Sequence, residues 1–198
     1  MVNMAADKTI RALMNIVKDS SQQLHILNQA AITFSEILRK YPKKWGIAKC
    51  VQIMVSKIDL IQEPESLAAI IWMLGEYSLK IPKSIDILKK VTTNFKDYEA
   101  IVQKQILTCS VKMFLRKPTE MEEVIAEVLE TSTEEVENPD IRDRGYIYWR
   151  LLSEYPDETK EIVLSDKPTL KSNKVIFDSS LVENLIDNIG MISAVFHQ

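Results

Sequence analysis

The sequence predicts an all-α fold, an α-solenoid of about four helical hairpins, and three observations carry that expectation. Apolar residues recur at spacings of three, four and seven along most of the chain, and no stretch of sustained apolar–polar alternation accompanies them. Turn formers are scarce, with 4 Gly and 7 Pro in 198 residues, which disfavours both disorder and a turn-rich all-β architecture. Four of the prolines, Pro42, Pro82, Pro118 and Pro156, are separated by 40, 36 and 38 residues, a repeat period rather than a scatter.

Each element follows from its own pattern. Residues 9–18 carry Ile10, Leu13, Met14 and Val17 on one helical face, broken by Asp19-Ser20-Ser21. Residues 22–41 continue through Leu24, Leu27, Ala31, Phe34, Ile37 and Leu38 and stop before Pro42. Residues 47–61 return with Val51, Met54, Val55 and Ile58. Glu63-Pro64-Glu65 is an acidic, proline-marked start, since proline needs no donor at the first helical position and carboxylates favour the positive end of the dipole. Leu67, Ile70, Ile71, Leu74 and Tyr77 carry that helix towards Pro82. Residues 84–95 supply Ile85, Leu88 and Val91, and residues 99–117 supply Val102, Ile106, Leu107, Val111, Phe114 and Leu115. Residues 119–129 place Met121, Val124, Ile125 and Val128 opposite Glu122, Glu123, Glu127 and Glu130, and an acidic linker is expected to follow.

The best-determined helix starts at Asn138. Asn138 suits the cap, Pro139 the first turn and Asp140 the dipole; Ile141, Gly145, Tyr148 and Leu152 then form one face. Gly145 lets a neighbour approach that face closely, and Asp140 is spaced to pair with Arg144 at i, i+4. A short helix is expected over 157–164, a loop pinned by Val175, Ile176 and Phe177 over 165–180, and a last amphipathic helix over 181–196.

The proline period has a register as well as a length: five residues before each proline lies Ile37, Tyr77, Met113 or Leu151. Helix pairs repeating at this length are the pattern of HEAT and armadillo arrays, whose units are too thin to bury their own faces and stack on neighbours. A compact bundle with regular prolines is the alternative. The expected organisation is therefore a single solenoid segment over 1–198, about four repeats plus a C-terminal loop and helix. Neither end shows the polar face of a capping repeat, so the segment is expected to belong to a longer array.

Composition narrows function by exclusion. A net charge of −3 gives no global attraction to nucleic acid. Cys50 and Cys109 are isolated and fit reduced core thiols better than a disulfide or zinc framework. The first residues lack the basic and apolar regions of a signal peptide, and no apolar run approaches the roughly 20 residues that span a bilayer. His25 and His197 are the only histidines and lie far apart, and the glycines form no phosphate-cradling loop. The glutamates of 120–137 match a solvated helix face. No catalytic, cofactor or metal site is expected.

Two surface features are candidate sites. Tyr146, Tyr148 and Trp149 put three aromatics within four residues, so at least one must leave the core face; with Arg142 and Arg144 they form a candidate partner-binding set. Packing between repeats is the competing role for the aromatics. Positive charge also recurs at the proline corners, in Arg39, Lys40, Lys43 and Lys44, in Lys80 and Lys83, and in Arg116 and Lys117. Stacked repeats would align these as an edge suited to anionic lipid or an acidic partner; the alternative is complementation of helix C-terminal dipoles. The fourth corner, residues 154–157, breaks the series.

The helix-start segment reads N-P-D-I-R-D-R-G-Y-I-Y-W-R-L-L. With E-P-E-S-L-A-A-I-I-W-M-L-G-E-Y from Glu63, R-K-Y-P-K-K from Arg39, V-K-M-F-L-R-K-P from Val111 and V-L-S-D-K-P from Val163, it resembles the β-adaptin family, the β subunits of clathrin adaptor complexes. Residues 84–95 and 169–178 diverge from that family's pattern. The resemblance implies the C-terminal part of a large-subunit trunk that pairs with the other large subunit and cradles the medium and small subunits. It further implies a cytoplasmic protein, peripheral on Golgi, endosomal or plasma-membrane coated vesicles and pits, with clathrin contacted only through a hinge outside this chain. A solenoid transport receptor binding peptide on its concave face is the rival. Importin-like arrays place Asn four residues after Trp, whereas Lys49, Glu76 and Ser153 follow Trp45, Trp72 and Trp149 here.

Overall fold

The computed structural model describes residues 12–15, 17, 24–41, 47–165, 183, 186 and 187. The elements expected over 9–18, 165–180 and 181–196 lie largely outside the described residues, as do Pro42, Lys43 and Lys44. Within them the chain forms α1 (Leu24–Lys40), α2 (Ile47–Val55), α3 (Pro64–Glu76), α4 (Ser84–Thr92), α5 (Ala100–Arg116), α6 (Pro118–Glu130), α7 (Pro139–Glu154) and α8 (Pro156–Leu164). No strand occurs among the described residues.

The helices pair in sequence and the pairs stack. α1 packs on α3, α3 on α5 and α5 on α7, so the first helices of successive hairpins form one layer; α2, α4, α6 and α8 each pack against one or more of them. The core is correspondingly one continuous cluster running from Met14 and Val17 to Ile141. Polar ties repeat at the same spacing, each joining residues about one hairpin apart. Ser66 Oγ donates to the Asn28 carbonyl at 3.1 Å, Glu76 pairs with Lys112, and Lys104 pairs with Asp140 at 3.3 Å.

Prolines set the corners more sharply than the sequence suggests. α3, α6, α7 and α8 each begin on a proline, whose missing donor is no loss in the first turn. Pro118 and Pro156 do not merely follow a helix end: the single residues Lys117 (φ −141°, ψ 70°) and Tyr155 (φ −138°, ψ 60°) break one helix, and the next begins at the proline itself. A residue preceding proline is sterically excluded from the helical region, which makes these one-residue reversals.

Several helices end earlier than the apolar period implies, and hydroxyl side chains occupy the ends. Ser56 Oγ donates to the Ile53 carbonyl at 2.8 Å where α2 gives way to a 3₁₀ turn at Ile58–Leu60. Thr92 and Thr93 both donate to the Lys89 carbonyl at the end of α4. After α6 the expected acidic linker is instead a π-helical turn, Thr131–Glu135, in which Ser132 and Thr133 are buried and donate to the Leu129 carbonyl. Such back-bonding competes with the regular ladder and satisfies carbonyls that the helix end leaves open.

The tightest junction is α3 against α5. A Cβ on Gly75 would lie 3.1 Å from Cys109 Cα, so glycine sets the separation of the two helices. Burial pushes the Cys109 thiol up to about 12, against the opposing pull of Lys112 and Arg116. Burial, then the Glu76 charge, likewise pushes Tyr77 up to about 12. The Lys112 side chain is 4% exposed and rests on Glu76.

Two outcomes are expected. The native thiol keeps its proton to about pH 12, while the unfolded thiol loses it near 9.0. The Cys109 contribution is thus complete below pH 9 and declines as pH rises towards 12. Urea unfolding across this range should show Cys109→Ala losing stability with pH less steeply than the parent, by about 1.4 kcal/mol per pH unit, with the Tyr77 contribution common to both. Glu76→Ala, which leaves the Lys112 ammonium enclosed, should cost about 3 kcal/mol, and adding Lys112→Met should recover most of the loss.

Candidate functional site

α7 carries three of the large apolar side chains exposed among the described residues, Tyr146, Ile147 and Trp149. Its start is built as its sequence implies: Asn138 is extended (φ −68°, ψ 117°), its Oδ1 accepts from the Asp140 amide at 3.0 Å, and Pro139 follows in the first turn. The Arg142 guanidinium donates to the Glu137 carbonyl at 3.2 Å, tying the helix to the strand of chain that enters it. Ile141 and Gly145 are buried, and Tyr148 and Leu152 pack against the core from the same face. Tyr148 Oη lies 3.4 Å from Thr108 Oγ1 of α5.

At 100° per residue, the two sides of that face differ in character. One side carries Arg142, Tyr146, Trp149 and Ser153. Tyr146 is 50% exposed and Trp149 46%, and Ser153 Oγ donates to the Trp149 carbonyl at 2.6 Å. The other side carries Asp140, Asp143, Arg144 and Ile147 beside an open cleft that Lys104 and Tyr148 complete. Ile147 is 58% exposed. Asp140 pairs with Lys104 across the repeat boundary rather than with Arg144, because the α5 ammonium reaches it at 3.3 Å; Arg144 has no ion-pair partner among the described residues. The three aromatics are therefore divided, with Tyr148 inward and Tyr146 and Trp149 outward.

The basic corners are similarly divided. Arg39 lies 4.9 Å from the Trp72 ring centroid, a cation–π contact from α1 to α3. Lys40 lies over Tyr41 at 5.9 Å and Lys80 over Tyr77 at 5.8 Å, with both ammonium-bearing residues exposed. Lys83 is exposed in the left-handed region at φ 56°, just before α4. Arg116 is half-buried and donates to the Gly75 carbonyl and, at 3.0 Å, to Ser78 Oγ. Lys117 pairs with Glu120 at 3.1 Å. Lys43 and Lys44 lie outside the described residues.

The sequence reading missed the inter-repeat pairing of Glu76 with Lys112, and it placed Arg116 on a basic edge rather than against the Gly75 carbonyl and Ser78. The one signal of that pairing was a lysine inside the apolar run Val111 to Leu115, placed 36 residues after Glu76 as the repeat period requires. Among the described residues no group of three or more His, Cys, Asp or Glu side chains is disposed to hold a metal ion.

A continuous core through stacked helical hairpins and inter-repeat ties defines an α-solenoid of the HEAT/armadillo kind. The family profile described as Adaptin N terminal region matches residues 2–156, and the chain belongs to that family. The mouse AP-1 complex subunit beta-1 is 36% identical over 197 residues, 100% of this chain and 20% of that protein. The AP-1 complex subunit beta of Dictyostelium discoideum is 35% identical over 198 residues, again 100% of the chain and 20% of the relative. The AP-2 complex subunit beta of Schizosaccharomyces pombe is 35% identical over 174 residues, 88% of the chain and 25% of the relative. The chain thus spans between a fifth and a quarter of the length of these relatives.

The close approach under Gly145 yields a direct test. A Cβ there would overlap Ser132 Oγ and lie 2.9 Å from Thr133 Cγ2, and both hydroxyls are held by the Leu129 carbonyl. Gly145→Ala should therefore destabilise the chain by about 1–3 kcal/mol despite its better helix propensity. Thermal unfolding of Gly145→Ala with and without Ser132→Ala checks the cause, since removing the Oγ should recover part of the loss.

Proposed function

We propose that this chain is part of the β-type large subunit of a clathrin-associated adaptor complex, acting as a structural trunk that holds partner subunits during vesicle-mediated protein transport. The observation that carries this reading is the alignment of the whole chain with AP-1 β subunits together with an outward aromatic pair, Tyr146 and Trp149, on α7. Aromatics half-exposed on a well-capped helix suit a docking face, because they bring large contact area with few rotatable bonds. Arg142 and Asn138 fix the start of that helix, so the face is presented rigidly.

The C-terminal trunk placement is part of the proposal. It rests on the likeness of the segments Asn138–Leu152 and Glu63–Tyr77 to the β-adaptin pattern; the family profile matching residues 2–156 is that of the adaptin N terminal region. On this reading residues 1–198 are one solenoid segment, the partners are the second large subunit and the medium and small subunits, and the complex works peripherally on coated membranes from the cytoplasmic side. Among the described residues no helix is long and apolar enough to cross a membrane, which suits peripheral attachment.

Co-expression with a medium subunit, a small subunit and the second large subunit tests it. The expected outcome is a co-purifying complex, with Tyr146→Ala plus Trp149→Ala weakening association on the order of tenfold or more. A chain that is folded by circular dichroism yet binds none of the three subunits overturns the scaffold reading.

A further inference from the structure

The last turn of α7 carries a hydroxyl that the stack leaves accessible beside its outward aromatics. Ser153 is exposed and continues the flank of Arg142, Tyr146 and Trp149, with its Oγ donating to the Trp149 carbonyl at 2.6 Å. α7 ends one residue later, at Glu154, and Tyr155 breaks the helix before Pro156 starts α8. Leu151 and Leu152 are only half-buried, so opening this turn uncovers little apolar surface. Its further ties are the Tyr155 amide on the Leu151 carbonyl at 3.0 Å and Thr159 Oγ on the same carbonyl at 2.8 Å. A helix end held by few contacts opens locally at low cost, and an enzyme that takes its protein substrate in extended form needs that opening.

An exposed arginine stands just before it. Among the arginines of the chain only Arg116 and Arg150 precede a serine or threonine by three positions, in Arg-Lys-Pro-Thr ending at Thr119 and in Arg-Leu-Leu-Ser ending at Ser153. The structure separates the two. Arg116 is half-buried and donates to the Gly75 carbonyl and Ser78 Oγ, so an enzyme acting at Thr119 would have to dismantle the junction of α3 and α5 to reach it. The Arg150 side chain is 77% exposed and pairs loosely with Glu154, at 3.6 Å. Arginine three residues before an acceptor hydroxyl is a charge pattern by which a broad class of protein kinases chooses its substrates.

We propose that Ser153 is the acceptor of an arginine-directed serine kinase, and that its phosphate closes the Tyr146 and Trp149 face to partner subunits. In the transfer Ser153 Oγ forms a bond to the γ-phosphorus of ATP, its proton passes to the base of the kinase, and the bond from that phosphorus to the β,γ-bridging oxygen breaks to release ADP. The product carries close to two negative charges where the serine donated a hydrogen bond. The phosphate stands at the negative end of the α7 dipole and adjoins Glu154, Asp157 and Glu158 in sequence, so the last turn of the helix is destabilised and its bond to the Trp149 carbonyl is lost. A partner covering this face would also have to strip water from a dianion. The closing of the face rests on the adaptor reading, whereas the acceptor assignment stands apart from it.

The experiment treats the full chain with ATP and a purified calmodulin-dependent protein kinase, an arginine-directed enzyme, and locates the phosphate by peptide mass spectrometry. One phosphate per chain is expected, on Ser153. Ser153→Ala should abolish incorporation, Arg150→Gln should lower it on the order of tenfold or more, and Thr119→Ala should leave it unchanged. Phosphate on Thr119, or equal incorporation in Arg150→Gln, overturns the assignment. The phosphorylated chain, shown to be folded by circular dichroism, is then presented to the second large, medium and small subunits. Its association should weaken on the order of tenfold or more, while kinase treatment of Ser153→Ala should have no effect. Unchanged association of the phosphorylated chain overturns the closing of the face. An unmodified chain that binds no subunit overturns the adaptor reading instead, and incorporation alone then decides the acceptor.

Discussion

Helices α3 and α5 approach so closely at Gly75 that a single added carbon would meet the Cys109 backbone at 3.1 Å, and much of the stack depends on that approach. It encloses Lys112 against Glu76, and it brings the Arg116 guanidinium to the Gly75 carbonyl, one of the acceptors that the end of α3 leaves open. It also dries the junction enough to hold the Cys109 thiol in its neutral form far above its usual range. Wider spacing would admit water to all three at once. The buried charge pair then acts less as a source of stability than as a fixed register, because only one alignment of α3 on α5 gives Lys112 its carboxylate.

The same arrangement recurs one hairpin later in weaker form. Gly145 lets α7 sit on the π-turn hydroxyls of Ser132 and Thr133, but the ion pair at that boundary, Lys104 with Asp140, is largely open to solvent on the aspartate side and contributes at most about 1 kcal/mol. In α7 only Ile141 and Gly145 are fully buried, whereas α5 buries residues along its whole length. Stability in a stack is a sum over units and nearest-neighbour interfaces, so the described array grades from a tightly held middle to a loosely covered last hairpin. The exposed aromatics of α7 lie at that loosely covered end.

Much of this was legible in the sequence, for identifiable reasons. Helix type followed from apolar spacing, and the corners at Pro118 and Pro156 followed from prolines, because both are local constraints that a few residues express in full; the helix expected to reach Pro82 ends at Glu76 instead. The cap at Asn138 and the inward face of Ile141, Gly145, Tyr148 and Leu152 were readable for the same reason. Helix ends were not: Ser56, Thr92 and Ser132 end or distort their helices through hydroxyl bonds that an apolar period does not encode. Nor was the partner of Asp140 readable, since Arg144 is near in sequence and Lys104 is nearer in space. Adjacent positions along α7 proved to belong to opposite flanks, so that Tyr146 and Ile147 serve different surfaces although they follow one another in the chain.

The corner cations divide by side-chain type, and this explains why charge alone misdescribes them. Arg39 lies over the Trp72 ring, and Arg116 reaches a carbonyl and a hydroxyl together. Each use needs a planar, multi-donor group that sheds water readily, which guanidinium is and ammonium is not. Lys40, Lys80 and Lys83 are exposed, the first two over the rings of Tyr41 and Tyr77, with Lys117 tied to Glu120 as the exception. The arginines thus join the stack to itself while three of the lysines remain exposed on its outside.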